Sequence, residues 1–160
     1  MTGPASDDGF MRLALQEALT APGHGDVPVG AVLVRSGEVV ARGHNTRDLV
    51  QDPSGHAEMS ALRLGAERLG TWRLESCEMF VTLEPCPMCA GAIVAARIDR
   101  LVFGAWDPKA GACGSLYNIP EDPRLNHRTR VRRGVLADEC AEPLARFFGE
   151  RRAGGGGGGI

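Results

Sequence analysis

The chain has 160 residues, 43% hydrophobic and 24% charged, with eighteen Lys and Arg against twenty Asp and Glu and a net charge of -2. These values exclude general disorder, and they exclude a protein that coats nucleic acid by bulk charge, though they leave room for a local basic patch. Six consecutive glycines stand at 154–159, and setting them aside leaves about 150 residues, the size of one domain that can bury a core without staples. The reading is therefore one domain over 1–152 and a flexible glycine-rich tail over 153–160. The longest mainly apolar run, 88–96, is too short to span a membrane. Residues 1–10 carry Asp7 and Asp8 and no basic segment followed by an apolar stretch, so no secretory signal is read there. A cytoplasmic protein with reduced thiols is expected, and the odd count of five cysteines fits that better than a disulfide framework.

In chain order, Ser6 and Asp7 can cap a helix over 8–20 whose apolar stripe is Met11, Leu15, Ala18 and Leu19. Residues 29–34 and 38–41 are β-branched runs joined by Ser36-Gly37, a hairpin signal. Residues 43–55 read as a loop. A helix follows over 56–69 with Met59, Leu62, Ala66 and Leu69 toward the core. Then come a strand at 79–83, a helix at 87–97 opened by Pro87, and a strand at 101–105. Strand, helix and strand in that order predict a parallel crossover. Residues 107–130 form a long Gly- and Pro-containing connection, 131–136 a last strand, and 138–152 a last helix that Pro143 should kink or delay. The pattern predicts an α/β fold: a mixed five-stranded sheet with helices on both faces, a three-layer α/β/α arrangement.

Three positions carry chemistry: His56, with Glu58 two residues on, and the pair Cys86 and Cys89 in Pro85-Cys86-Pro87-Met88-Cys89. Residues three apart on a helix share a face, so both sulfurs can reach one point. They fall at a helix N-terminus, where the positive end of the helix favours thiolates. His56 also opens a helix, so two helix starts can converge on one ion. One imidazole and two thiolates favour zinc, and three protein ligands leave a fourth position for water. Glu58 is placed to handle that water's proton. The residues alone leave other readings open. Cys-x-x-Cys can be a redox pair, and Cys77, Cys113 or Cys140 can close a structural zinc site. A zinc or RNA-binding module without catalysis is a further possibility.

His56-Ala57-Glu58 followed by a strand and Pro85-Cys86-x-x-Cys89 is the signature of the zinc nucleobase deaminases. From Phe10 to about Arg152 the chain resembles the bacterial tRNA-specific adenosine deaminases of the cytidine deaminase-like superfamily. The stretches that carry the likeness include 28–32, 43–45, 82–92, 102–105, 114–116, 126–128 and 136–140 with Phe147-Phe148. The resemblance implies a cytidine deaminase-like fold, one Zn²⁺ per subunit on His56, Cys86 and Cys89, and a homodimer. It implies hydrolytic conversion of the wobble adenosine of a tRNA anticodon stem-loop to inosine, with water attacking carbon 6 and Glu58 protonating ring nitrogen 1 and then the leaving amine. A deaminase of a free base or nucleoside, such as guanine, cytosine or cytidine, would share the same zinc residues. Motif matching places Asn45, Val29 and Ala57 against the target nucleoside, and Asp107 and Lys109 on a loop that contacts RNA. Phe148 could stack on a base, although Cys140, Leu144, Phe147 and Phe148 also fit one packed helical face. Residues 124–133 hold five arginines, His127 and no acid, so Arg128 and Arg130 are candidate phosphate contacts. Trp106 stands where the family commonly has a basic residue, and Pro108 is a second departure.

Overall fold

The computed structural model describes residues 6–153. Of the tail expected over 153–160, all but the first residue lies outside the described residues. The elements run α1 (Asp7–Ala18), a 3₁₀ turn (Ala21–His24), β1 (Gly30–Arg35), β2 (Glu38–His44), α2 (Arg47–Val50), α3 (Ala57–Leu69), β3 (Cys77–Leu83), α4 (Pro87–Ala95), β4 (Arg100–Ala105), β5 (Arg130–Arg132) and α5 (Ala137–Ala153). One five-stranded sheet has the order β2-β1-β3-β4-β5. β1 pairs antiparallel with β2 and with β3, while β3–β4 and β4–β5 are parallel. This is the mixed sheet the sequence predicts, with α4 as the crossover between β3 and β4.

Local chemistry accounts for the elements. Ser6 caps α1 by accepting a bond from the Gly9 N–H at 3.1 Å. Ser36 and Gly37 both adopt positive φ (52° and 78°), which gives the two-residue turn whose twist suits a hairpin. α4 stops at Ala95 rather than 97 because Arg97 turns left-handed (φ 67°). The N–H groups of Arg97 and Ile98 then close on the carbonyls of Val94 and Ile93, a Schellman end. β5 has three residues where 131–136 was expected. Gly134 and Leu136 take positive φ and end the pairing. α5 runs through Pro143 without ending. Pro143 is buried on the face that carries Cys140, Leu144 and Phe147, and the acceptor it leaves unpaired belongs to Glu139, an exposed residue.

Helices cover both faces. Phe10 of α1 stacks on Phe80 of β3 with ring centroids 5.1 Å apart, and Arg12 of α1 meets Glu139 of α5 at 3.9 Å, which puts α1 and α5 on one side. α3 packs on β1 and β2 from the other side and touches α4. Two expected stripes differ from those observed. α1 buries Phe10, Met11, Ala14 and Ala18, and leaves Leu19 54% exposed. α3 buries Ala57, Glu58, Ala61, Leu62 and Gly65, while Met59 and Ala66 turn toward an open groove. Close approach is the reason in both cases. A Cβ on Gly30 would lie 2.0 Å from the Ala14 carbonyl oxygen, and one on Gly65 would lie 2.3 Å from Leu33 Cδ2. At these two points only small residues fit, Ala14 and Ala18 against Gly30 and Gly65 against Leu33, while Phe10, Met11 and Leu62 fill the wider parts of the layer.

This close packing makes a testable statement. Gly30→Ala should lower unfolding stability by about 1–3 kcal/mol, because the obstacle is backbone and cannot swing away. Gly23→Ala, with nothing within 4 Å, should stay within ~0.5 kcal/mol of the parent. Denaturant midpoints at equal zinc loading measure both.

Candidate active site

The sheet topology gathers one end of several strands. The start of β1 (Val29, Gly30), the end of β2 (His44, Asn45), the end of β3 (Leu83, Glu84) and the end of β4 (Ala105, Asp107) lie side by side. Both α3 and α4 begin there, with His56 as N-cap of α3 and Cys86 as N-cap of α4. Helix starts at the carboxyl ends of parallel strands are the usual place for a ligand in α/β sheets. A cleft of about 330 Å³ opens at this point, lined by Val29, Asn45, His56, Ala57, Glu58, Leu83, Glu84, Cys86 and Asp107.

At its floor the donor atoms of His56, Cys86 and Cys89 all lie within 4.8 Å of one another. His56 Nδ1 is 3.6 Å from Cys86 Sγ and 3.4 Å from Cys89 Sγ. Among the described residues no further His, Cys, Asp or Glu joins the set, so Cys77, Cys113 and Cys140 do not close it. The protonation pattern shows what the donors lack. Cys86 is held down to about 4, first by a hydrogen bond from Cys89, while Cys89 is pushed up by that same bond and by burial. Their proximity thus favours one sulfur as thiolate and the other as thiol. The bond to Cys86 also raises His56. A dication held by all three donors would take both sulfurs as thiolates and leave the imidazole neutral. Zinc fits this soft, three-donor set, with one coordination position left over.

Glu58, in the first turn of α3, is 4% exposed. Burial is the main cause that lifts its carboxyl to about 7, against the opposing pull of His56. A carboxyl poised near neutrality beside a metal set can both accept and return a proton. Asn45 is buried; its Oδ1 accepts from the Arg47 N–H at 3.1 Å and its own N–H bonds to the Val29 carbonyl. Its Nδ2 donates to no protein acceptor among the described residues and is available to the cleft. Val29, Ala57 and Leu83 supply apolar walls.

The structure thus brings together His56, Glu58, Cys86, Cys89, Asn45, Val29, Ala57 and Asp107. Asp107 is buried, and its Oδ1 caps the loop by accepting from the N–H groups of Lys109 and Ala110, each at 3.1 Å; Lys109 is exposed beside it. Arg128 and Arg130 are not brought to the cleft. Arg130 pairs with Arg100 and, through it, Glu78, five residues below the Leu83–Ala105 pair, roughly 16 Å away along the strands. The acid-free basic run is also less free than its sequence suggests. Arg124 meets Asp122, Arg132 meets Asp7 and Arg133 meets Glu121, at 2.7, 2.5 and 2.6 Å. Phe148 is half-buried against the core, its ring edge-on to Phe147. Leu83 and Glu84 escaped the sequence reading. An acid closing an apolar strand next to a metal turn was the signal for Glu84, since a buried charge needs partners.

Residues 4–105 match the family of the cytidine and deoxycytidylate deaminase zinc-binding region. The tRNA-specific adenosine deaminase of Bacillus subtilis (strain 168) is 49% identical over 146 residues, 91% of each chain. That of Haemophilus influenzae is 48% identical over 147 residues, 91% of this chain and 85% of the other. A solved structure from work on A-to-I editing by tRNA:A34 deaminases at the wobble position of transfer RNA superposes with a TM-score of 0.81 at 46% identity, covering 84% of this chain and 98% of that one. With its zinc residues and catalytic cleft assembled as described, the chain belongs to the tRNA-specific adenosine deaminases, within the cytidine and deoxycytidylate deaminase zinc-binding family.

Proposed function

We propose that this enzyme hydrolyses the wobble adenosine of a tRNA anticodon, adding water and releasing ammonia to leave inosine. The observation that carries this reading is a buried carboxyl, Glu58, beside a His/Cys/Cys set on the floor of a mostly apolar cleft. Zinc, held by His56, Cys86 and Cys89, supplies the Lewis acid that brings a water's pKa toward neutrality. The chain's own groups do the rest. Glu58 accepts one proton from the water and gives it to ring nitrogen 1; it then takes the proton of the hydroxyl added at carbon 6 and gives it to the amine, which departs as ammonia. Val29, Ala57 and Leu83 hold the flipped base by its faces, and the Asn45 amide donates to the nucleoside. The reading places the enzyme in the cytoplasm with its tRNA; no helix among the described residues is long and apolar enough to cross a membrane.

The test is incubation with an anticodon stem-loop and mass spectrometry for inosine. Glu58→Gln should cut kcat by at least ~10²-fold while zinc stays at one per chain. Cys86→Ser should lose the metal as well. Retained turnover in Glu58→Gln would overturn the mechanism, and turnover of free guanine or cytosine alone would overturn the substrate.

The RNA lies across the cleft, with Lys109 and the Asp107 loop at the target nucleotide and Arg128 and Arg130 on phosphates of the stem. These two arginines are exposed and form no ion pair among the described residues. Replacing both by Gln should weaken tRNA binding and reduce the slope of log affinity against log salt by about 1–2. An unchanged slope removes them from the interface.

A second copy of the chain covers the groove between α3 and α4. Met59, Leu62, Ala66, Ala92 and Ala96 line it, Trp72 stands 58% exposed at its side, and α4 carries no charged residue at all. Sedimentation equilibrium should give a dimer, and Ala92→Glu a monomer. A monomeric parent protein at micromolar concentration rejects this arrangement.

A further inference from the structure

Glu84 lies between the end of β3 and the Cys86 turn and is 1% exposed. A buried carboxylate is costly unless its oxygens are fully bonded. Here every bond goes to one segment. Oε1 accepts from the Asp107 N–H at 3.0 Å and the Ser115 hydroxyl at 2.5 Å. Oε2 accepts from the Cys113 N–H at 3.1 Å and the Ser115 N–H at 2.9 Å. Gly111, in the middle of the segment, passes so close that a Cβ on it would lie 2.2 Å from the carboxyl carbon. Two backbone bonds flank the carboxylate: Ala112 N–H to the Pro85 carbonyl and Glu84 N–H to the Ala105 carbonyl, each 2.8 Å. Residues 107–115 therefore wrap one anion as a nest of N–H donors.

The wrapped segment ends in a wall of the cleft. Asp107, whose N–H is clamped by Glu84, lines that cleft and caps Lys109 and Ala110 through its own carboxylate. Between β4 and β5 the segment has no helix to stiffen it. Removing the anion would leave three N–H donors turned inward without an acceptor, and the wall would move.

We infer that Glu84 is a positioning residue whose carboxylate holds the 107–115 segment against the cleft and so sets, through Asp107, how tightly the nucleotide is gripped. It takes no part in the proton transfers. The inference rests on the cleft being the adenosine site, and its test separates the two.

Glu84→Gln keeps the shape but turns an amide nitrogen toward some of the N–H donors. With the stem-loop as substrate its KM should rise roughly tenfold, the size expected for losing one charge-assisted bond. Its kcat should change less than ~3-fold and its zinc content not at all. Hydrogen exchange in a peptide covering residues 105–116 should quicken in the same variant, a readout that needs no substrate. Ser115→Ala should move KM in the same direction by a smaller factor, and it carries the test if Glu84→Gln does not fold. In the double variant Glu84→Gln/Asp107→Ala, KM should rise no further than in the worse single variant, because both act through one wall. A fall in kcat at constant KM, loss of zinc, faster exchange without a KM change, or additive KM effects would each overturn the assignment. Failure of the parent protein to deaminate the stem-loop would overturn the substrate reading instead, and would leave the exchange result to decide whether Glu84 is a clamp.

Discussion

Everything at this site depends on two helices starting at the same end of one sheet. The N-caps of α3 and α4 are His56 and Cys86, and they are 30 positions apart in sequence. They meet because β1 runs antiparallel to β3, while β3 and β4 run parallel and α4 is the crossover between them. The start of β1 and the ends of β2, β3 and β4 therefore share an edge, and each helix leaves that edge with its positive end toward the cleft. Thiolate and carboxylate gather where that field favours negative charge. If either helix were displaced by a turn, about 5.4 Å, the donors could no longer share one ion.

Close packing keeps those helix starts in place. α1 reaches the sheet only because Gly30 offers no side chain opposite Ala14 and Ala18, and α3 only because Gly65 leaves room for Leu33. At the far end of the strands Asp7, in the first turn of α1, binds Arg100 and Arg132 together. Charge thus pins one end of the layer, and contact between small residues pins the end that faces the cleft. The arginines read as a phosphate patch are divided by this architecture: Arg132 is spent on α1, and Arg133 on Glu121 and the Cys113 carbonyl. Arg128 and Arg130 are left on the surface.

Order of elements, parallel crossover and metal set were legible because each rests on local chemistry. A two-residue Ser-Gly turn, a Pro after a Cys and a ligand spacing of three all announce themselves within a few positions. What was not legible depends on partners far away in sequence. The short helix α2, inside a stretch read as loop, is capped by Asp26, whose carboxylate takes the N–H groups of Asp48 and Leu49 at 2.7 and 3.1 Å. No window around residue 48 contains that acid. The buried stripes of α1 and α3 were misread for the same kind of reason. Periodicity ranks residues by hydrophobicity, whereas the closest approaches, at Gly30 and Leu33, admit only small side chains, so Ala14 and Gly65 face inward there and Leu19 does not. Acid partners for the arginine run likewise come from residues 7, 121 and 122, outside the run itself.

Glu58 and Glu84 show how one side chain is given two tasks within a single cleft. Both are almost fully buried, and burial pushes both upward. For Glu58 burial outweighs the pull of His56 and of its few hydrogen bonds, and the carboxyl rises to about 7, where it can exchange a proton at neutral pH. For Glu84 the Ser115 hydroxyl and the N–H groups of Asp107, Ser115 and Cys113 outweigh burial, and the carboxyl is held below its ordinary value. An acid that must move a proton is left short of donors. One that must hold a loop is saturated with them, and so stays charged when its neighbour titrates. The number of N–H groups aimed at each carboxyl, rather than its depth, therefore separates the proton carrier from the clamp.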